Sequence, residues 1–155
     1  MKKLPILLTL ALLSSSVTAQ KADFTGEWKL NREKSQLGYE FSLASRSIVI
    51  DQKRKSVEIT KTGDFNGQEI VNGVFYTLDG KEVTYTAYDI LEMTGTARLD
   101  KKAGTLRIIT KTYTNDMGDV QVDELYSLKE GQLVVVSTGS SSYGEMVETF
   151  VYDKL

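Results

Sequence analysis

The sequence FTGEWKL at residues 24–30, together with TFVYDK at residues 149–154, decides the fold that we expect. Both segments alternate apolar and polar residues, as strands with one buried face do. Gly26 and Trp28, the single tryptophan, are expected to be structural, because a large packing residue at the start helps to fill one end of a closed barrel. The two segments therefore predict an all-β protein whose first and last strands meet.

The residues between these two segments show the same alternation, so about ten strands are predicted in all. Short polar turns separate most of them, which favours consecutive hairpins over the longer crossovers of a sandwich. The predicted architecture is an antiparallel up-and-down β-barrel. The expected strands lie near residues 24–30, 46–51, 55–62, 69–78, 81–89, 93–99, 104–114, 119–128, 132–138 and 145–153.

Hairpin register supports the barrel, because each closed hairpin brings apolar residues together on one face. Asp-Gly at residues 79–80 is the strongest two-residue turn signal in the chain. Charged residues such as Arg98, Arg107 and Lys111 then fall on the opposite, outer face. The predicted pairs are Ile50 with Val57, Ile48 with Ile59, Tyr76 with Val83, Val74 with Tyr85, Leu99 with Leu106, Ala97 with Ile108, Leu128 with Leu133, and Tyr126 with Val135.

Residues 1–19 have the three parts of a secretory signal peptide. Two lysines precede an apolar run over residues 4–13, and small residues follow up to an expected cut before Gln20. The run is too short to span a bilayer, and the absence of cysteine excludes a lipid-anchoring thiol. We therefore predict an exported protein, periplasmic or extracellular, without stable membrane insertion and with a single domain over residues 20–155.

Composition argues against nucleic acid as a partner and against the common catalytic classes. Lys2 and Lys3 are the only charged residues in 1–19, so residues 20–155 carry 17 basic and 21 acidic residues, a net charge of −4. Binding to phosphate backbones requires clustered cations instead. Without histidine or cysteine, Ser-His triads, thiol nucleophiles and zinc clusters are excluded, and the acidic stretch at residues 115–119 fits a turn better than a calcium loop. We predict no enzymatic activity, no cofactor and no metal.

The two end motifs carry a resemblance to the calycin superfamily, which contains lipocalins and fatty-acid-binding proteins. The opening segment resembles Phe-x-Gly-x-Trp-x-Leu of the fatty-acid-binding branch, and residues 149–154 resemble its terminal Thr-Arg-x-Tyr-Glu-Lys. Asn31 and the pair at residues 34–35 extend the similarity to secreted bacterial lipocalin-like proteins. The resemblance implies a ligand-binding barrel. The two arginines that hold the ligand carboxylate in the fatty-acid-binding branch are replaced here by Phe150 and Tyr126, so it also implies that a fatty acid bound head-inward is disfavoured.

The inner face of the predicted barrel supplies the candidate cavity. Small residues at Ala87, Gly95 and Ala97 would leave space on one wall, unless large side chains from the opposite wall fill it. Glu124 and Glu148 share the inner parity, and they either bind a cationic or hydroxylated ligand, lie at a wet mouth of the barrel, or are turned outward by a bulge. The ligand-contact candidates are Tyr76, Tyr85, Ala97, Ile108, Thr110, Tyr126, Val135, Phe150 and Tyr152.

Residues 31–46 form the longest predicted connection, and we expect them to fold against the barrel through Leu37, Tyr39 and Phe41. This segment is either a flap over the mouth of a cavity or a plug that closes one end of the core.

Two functions follow from the predicted barrel. The first is a non-enzymatic carrier that binds a small hydrophobic molecule or lipid inside. The alternative is an extracytoplasmic interaction or inhibitor module with a filled barrel, which contacts a protein partner through an outward apolar patch. The patch consists of Val134, Val136, Val147 and Val151.

Overall fold

The computed structural model describes residues 21–155, and the predicted signal peptide at residues 1–19 lies outside them. The described residues form ten strands, and none of their segments is a helix long and apolar enough to cross a membrane. The strands are β1 (Gly26–Leu30), β2 (Ser47–Gln52), β3 (Ser56–Phe65), β4 (Gln68–Thr77), β5 (Val83–Ala87), β6 (Leu91–Asp100), β7 (Thr105–Thr114), β8 (Gly118–Lys129), β9 (Gln132–Ser141) and β10 (Gly144–Lys154).

All ten strands belong to one antiparallel sheet, in the order β4-β3-β2-β1-β10-β9-β8-β7-β6-β5. The first and last strands meet, with Trp28 opposite Lys154 and Leu30 opposite Tyr152. The sheet curls into a nearly closed barrel whose seam separates β4 from β5. The predicted all-β up-and-down barrel is confirmed.

The core follows from the alternation along each strand, because every second side chain points into the barrel. Trp28 is buried at one end, where its indole N–H donates a hydrogen bond of 3.0 Å to the carbonyl oxygen of Phe24. The ammonium group of Lys154 lies 5.4 Å from the centre of the indole ring. On β10, Phe150 and Tyr152 are buried while Val147 is exposed, as the predicted parity requires.

Hairpin register is confirmed for β6–β7 and β8–β9 and is wrong for β2–β3. Ala97 lies opposite Ile108 and Tyr126 opposite Val135. In the β2–β3 hairpin Ile50 lies opposite Ile59 instead of Val57. The turn there is tighter than predicted, since the backbone N–H of Lys53 donates to the carbonyl of Ser56 at 2.8 Å. The two-residue shift preserves which face each side chain occupies.

The predicted hairpin between Tyr76 and Val83 is also wrong, because β4 and β5 form no ladder. Gly80 has a positive φ of 79°, and its N–H donates to the carbonyl of Ala97 at 3.0 Å. Asp79 forms an isolated bridge with Arg98 on β6. The Asp-Gly turn therefore carries the chain toward β6 instead of returning it along β4.

Residues 31–46 contain no helix, and their first part lies beside β10, where β1 has ended. The N–H of Asn31 donates to the carbonyl of Val151, and Gln36 bridges Thr149. Leu37 packs against the core as predicted.

The prediction is wrong for Tyr39 and Phe41, which are exposed to solvent. The N–H groups of Gly38 and Leu43 bind one shared carboxylate, that of Glu148, so the residues between them project outward as a loop.

Candidate functional site

The burial and the polarity of the inward side chains change along the barrel axis. At the Trp28 end the inward side chains are buried and pack against one another, as in the cross-strand row Leu106, Tyr126, Val135 and Phe150. One row further along, the inward residues are Ile108, Glu124, Ser137 and Glu148, which are also buried.

Beyond that row, the inward residues of β7 to β10 become partly exposed, although their parity still directs them into the barrel, whereas Gly95 on β6 and Ala87 on β5 stay buried. We call this part the open half, and it begins with the row Thr110, Val122, Gly139 and Met146. The continuously buried part of the interior therefore ends at the row that contains the two glutamates. The inward residues on this side of the seam are Tyr85, Met93, Thr110, Thr112, Val120 and Val122.

An ion pair crosses the lumen at the base of the open half. Lys61 extends inward from β3, and its Nζ lies 2.6 Å from both carboxylate oxygens of Glu124 on β8. The hydroxyl of Tyr126 donates a further hydrogen bond of 3.1 Å to Oε2 of Glu124. Lys61 keeps 30% of its side chain exposed, whereas Glu124 keeps 7%. The buried carboxylate is thus neutralised, and Lys61 is the member of the pair with the more exposed side chain.

Ser137 completes this cluster. It lies directly across β9 between Glu124 on one neighbouring strand and Glu148 on the other. Its side chain is 1% exposed, and its Oγ has no hydrogen-bond partner among the residues that the structure describes. We call Lys61, Glu124, Tyr126 and Ser137 the interior polar cluster.

Glu148 binds backbone N–H groups, whereas Glu124 binds the Lys61 side chain. Its Oε1 accepts a hydrogen bond of 2.8 Å from the N–H of Gly38, and its Oε2 accepts one of 2.9 Å from the N–H of Leu43. Nearby, the hydroxyl of Tyr152 donates to the carbonyl of Ser45 at 3.1 Å. The buried carboxylate therefore holds residues 31–46 against the barrel beside β10. Both glutamates point inward, so neither is turned outward by a bulge.

Four tyrosines inside the barrel have a raised pKa, and burial is the largest cause in each case. Burial, followed by the negative charge of Glu124, raises the pKa of Tyr126 and of Tyr152 well above the usual value. Burial also raises the pKa of Tyr76, with the neighbouring Tyr85 as the next cause, and burial raises the pKa of Tyr85. These phenols stay protonated and serve as hydrogen-bond donors at neutral pH.

The nine predicted ligand-contact residues separate into two groups. Tyr85 and Thr110 are partly exposed and line the open half. Those in the second group are buried in the packed part of the barrel, where they hold the fold together: Tyr76, Ala97, Ile108, Tyr126, Val135, Phe150 and Tyr152.

Lys61 is the residue that the sequence reading missed. Its inward position follows from the parity of Val57 and Ile59 on the same strand. A lysine inside a barrel is expected only with a partner, and Glu124 lies 63 residues away in the sequence, so no local pattern connects the two.

A groove of about 500 Å³ opens beside the open half, where the β6–β7 ladder ends after the pair Thr94 and Lys111. The hydroxyl of Thr112 donates to the carbonyl of Glu92 across this gap at 2.7 Å. None of the nine predicted ligand-contact residues lines the groove, but three of its lining residues have inward parity: Met93, Thr112 and Val120. Over residues 21–155, no group of three or more acidic side chains is placed to hold a metal ion.

The predicted outer patch does face outward. Val147 is 61% exposed and Val136 is also exposed, and Leu125 on β8 extends the same surface beside Val136. Val134 and Val151 are partly covered.

Comparisons with known proteins support the fold. No family model matches the sequence, and no curated protein matches it either. Among solved structures, the chain is similar to the zebrafish ileal bile acid-binding protein complexed with cholic acid, with a TM-score of 0.57 and 18% sequence identity. The match covers 85% of this chain and 98% of the zebrafish chain. The fold is therefore that of a fatty-acid-binding-protein-like barrel.

Proposed function

We propose that this chain is a non-enzymatic carrier that binds a small apolar molecule in the open half of its barrel. The observation that carries the proposal is the change in burial along the lumen. Inward residues at the Trp28 end are packed, whereas Thr110, Val122 and Tyr85 face the lumen and remain accessible. A concave, mostly apolar wall with a few polar groups is the usual form of a small-molecule site. The similar zebrafish barrel was solved with cholic acid, which supports the same use of this architecture.

Binding of Nile red, a neutral fluorescent dye, to residues 20–155 tests the carrier. We expect saturable one-to-one binding, and native mass spectrometry after gentle purification should detect any lipid that co-purifies. Thr110→Trp fills the lumen and should abolish dye binding. Lys29→Trp places the same ring on the outer face of β1, away from the groove, and is the matched control. Dye binding that both variants retain equally would contradict an interior site.

We propose further that the carrier is exported after removal of residues 1–19. The support is the charged, apolar and small-residue order of that segment. Expression of the whole chain in a bacterial host, followed by amino-terminal sequencing of the periplasmic and medium fractions, tests this. A chain that begins at Gln20 in either fraction is expected, and retention of the uncut chain in the cytoplasm would contradict export.

The alternative function is an interaction or inhibitor module that acts through the outer patch. The exposure of Val136 and Val147 on neighbouring strands favours it. Light scattering on the unmodified chain and on Val136→Lys distinguishes the two functions. A larger species that Val136→Lys converts to monomer would support an interface, and a monomer in both cases would remove self-association through this patch.

A further inference from the structure

We infer that the ligand of the open half is an uncharged apolar molecule with one hydrogen-bonding oxygen, such as a hydroxyl or carbonyl, which the interior polar cluster binds. This inference rests on the proposed carrier function and names the chemical class of its ligand.

The ammonium group of Lys61 supplies hydrogen-bond donors inside the barrel. An ammonium group has three N–H donors, and Lys61 directs its Nζ at the two oxygens of Glu124. Its side chain is partly exposed, while that of Glu124 is almost wholly buried. Of the two side chains, Lys61 is therefore the more accessible to a ligand. An acceptor oxygen satisfies this group, and a ligand ammonium is repelled by it.

The charges inside the barrel disfavour a ligand carboxylate. Lys61 is already neutralised by Glu124, and Glu148 lies one strand beyond Ser137 with only backbone N–H groups on its two oxygens. A ligand carboxylate would lose its hydration and gain no net cation in return. Burying an ionised group costs far more than burying a hydroxyl or carbonyl. The ion pair therefore selects a dipolar, uncharged group over an acid.

The hydroxyl of Ser137 also favours a ligand that carries a hydrogen-bonding oxygen. A buried hydroxyl normally has a hydrogen-bond partner, and the Oγ of Ser137 has none within residues 21–155. It lies in the same row as Glu124, at the base of the open half. A ligand hydroxyl can accept from one member of the cluster and donate to another, which matches a group that offers both functions.

Displacement of Nile red from residues 20–155 by four twelve-carbon competitors tests the inference. The competitors are dodecan-1-ol, dodecane, dodecanoate and dodecylammonium, all used below their micelle-forming concentrations. We expect dodecan-1-ol to displace the dye at a concentration roughly tenfold lower than either charged competitor, because only those two bury a charge, and lower than dodecane. Dodecanoate or dodecylammonium equal to or better than the alcohol would overturn the inference, as would dodecane equal to the alcohol.

Variants assign the preference to the cluster. Lys61→Met combined with Glu124→Leu removes both charges together, so neither is left buried alone. It should reduce the preference for dodecan-1-ol over dodecane, while Ser137→Ala should weaken the alcohol and leave dodecane unchanged. Lys29→Met and Ser140→Ala are controls on the outer faces of β1 and β9. A preference for the alcohol that is undiminished in the double variant would overturn the assignment. If the double variant does not fold, Ser137→Ala and the competitor series on the unmodified chain still decide.

Failure of the carrier itself would look different. In that case Nile red would not bind saturably to the unmodified chain, and none of the competitors would change its fluorescence. Saturable dye binding without a preference for the alcohol would leave the carrier in place and remove only the ligand class.

Discussion

The ring of Tyr76 on β4 lies against Gly95 on β6, so closely that a Cβ atom built on Gly95 would stand 2.8 Å from Cε1 of the ring. These strands belong to opposite ends of the sheet, and β4 forms no ladder with β5 at the seam between them. Tyr76 therefore spans the seam with its side chain. The space that the small residue leaves on one wall is filled from the other wall.

Gly95→Ala should destabilise the chain by about 1–3 kcal/mol, because the added methyl group overpacks the ring of Tyr76. The free energy of unfolding in urea measures this. Gly63→Ala is the control, since a Cβ at Gly63 meets nothing within 4 Å. Tyr76→Leu should reduce the cost of Gly95→Ala, and purely additive costs of the two changes would contradict a direct contact.

Glu148→Gln should loosen residues 31–46, because an amide cannot accept hydrogen bonds through both of its terminal atoms. We expect a loss of about 1–3 kcal/mol in stability, from a buried backbone N–H left without a partner. Amide hydrogen exchange at Gly38 and Leu43 should become faster. Glu145→Gln changes an exposed residue on the same strand and should leave the exchange as it was. Unchanged exchange in Glu148→Gln would show that other contacts hold the segment.

Lys61→Met should destabilise the barrel by about 3 kcal/mol, since it leaves the Glu124 carboxylate buried without a cation. The value lies at the lower end for buried pairs because Lys61 is partly exposed. The second change, Glu124→Leu, should recover most of the lost stability by removing the unpaired charge. Lys111→Met, on the outer face, should have little effect. Equal losses in the single and double variants would mean that the pair is not coupled.

Alkaline pH should unfold the protein through its buried tyrosines. Burial, with the charge of Glu124 next, raises the pKa of Tyr126 well above its usual value of 10.0. Above that value the unfolded chain loses the phenolic proton while the folded chain keeps it. The stabilisation is therefore complete below pH 10.0 and is lost as the pH rises toward the folded pKa.

Urea unfolding at a series of pH values, with phenolate absorbance recorded in parallel, measures this effect. Tyr126→Phe should flatten the alkaline decline, and Tyr143→Phe, at an exposed position, is the control. A stability that is constant across pH 10.0 would contradict the prediction.

The local sequence pattern was enough to predict the register of hairpins whose two strands are joined by a short turn. The β6–β7 and β8–β9 registers were predicted correctly because residue parity and a short turn together leave few alternatives. The Asp-Gly turn at residues 79–80 led to the wrong prediction of a β4–β5 hairpin. Its hydrogen bond goes to Ala97, which no local signal indicates. The prediction that Tyr39 and Phe41 pack against the barrel failed for a similar reason, because the carboxylate that shapes their loop belongs to Glu148 at the far end of the chain.

The sequence by itself determined the class of fold, the meeting of the first and last strands, and the face on which almost every side chain lies. A period of two residues encodes all three, and it can be read within a few positions. The tertiary structure alone decided which inward residues are packed and which remain accessible, and it alone paired Lys61 with Glu124. That pairing joins β3 to β8 across the lumen, and curvature of the whole sheet, which no single segment encodes, sets the distance between them.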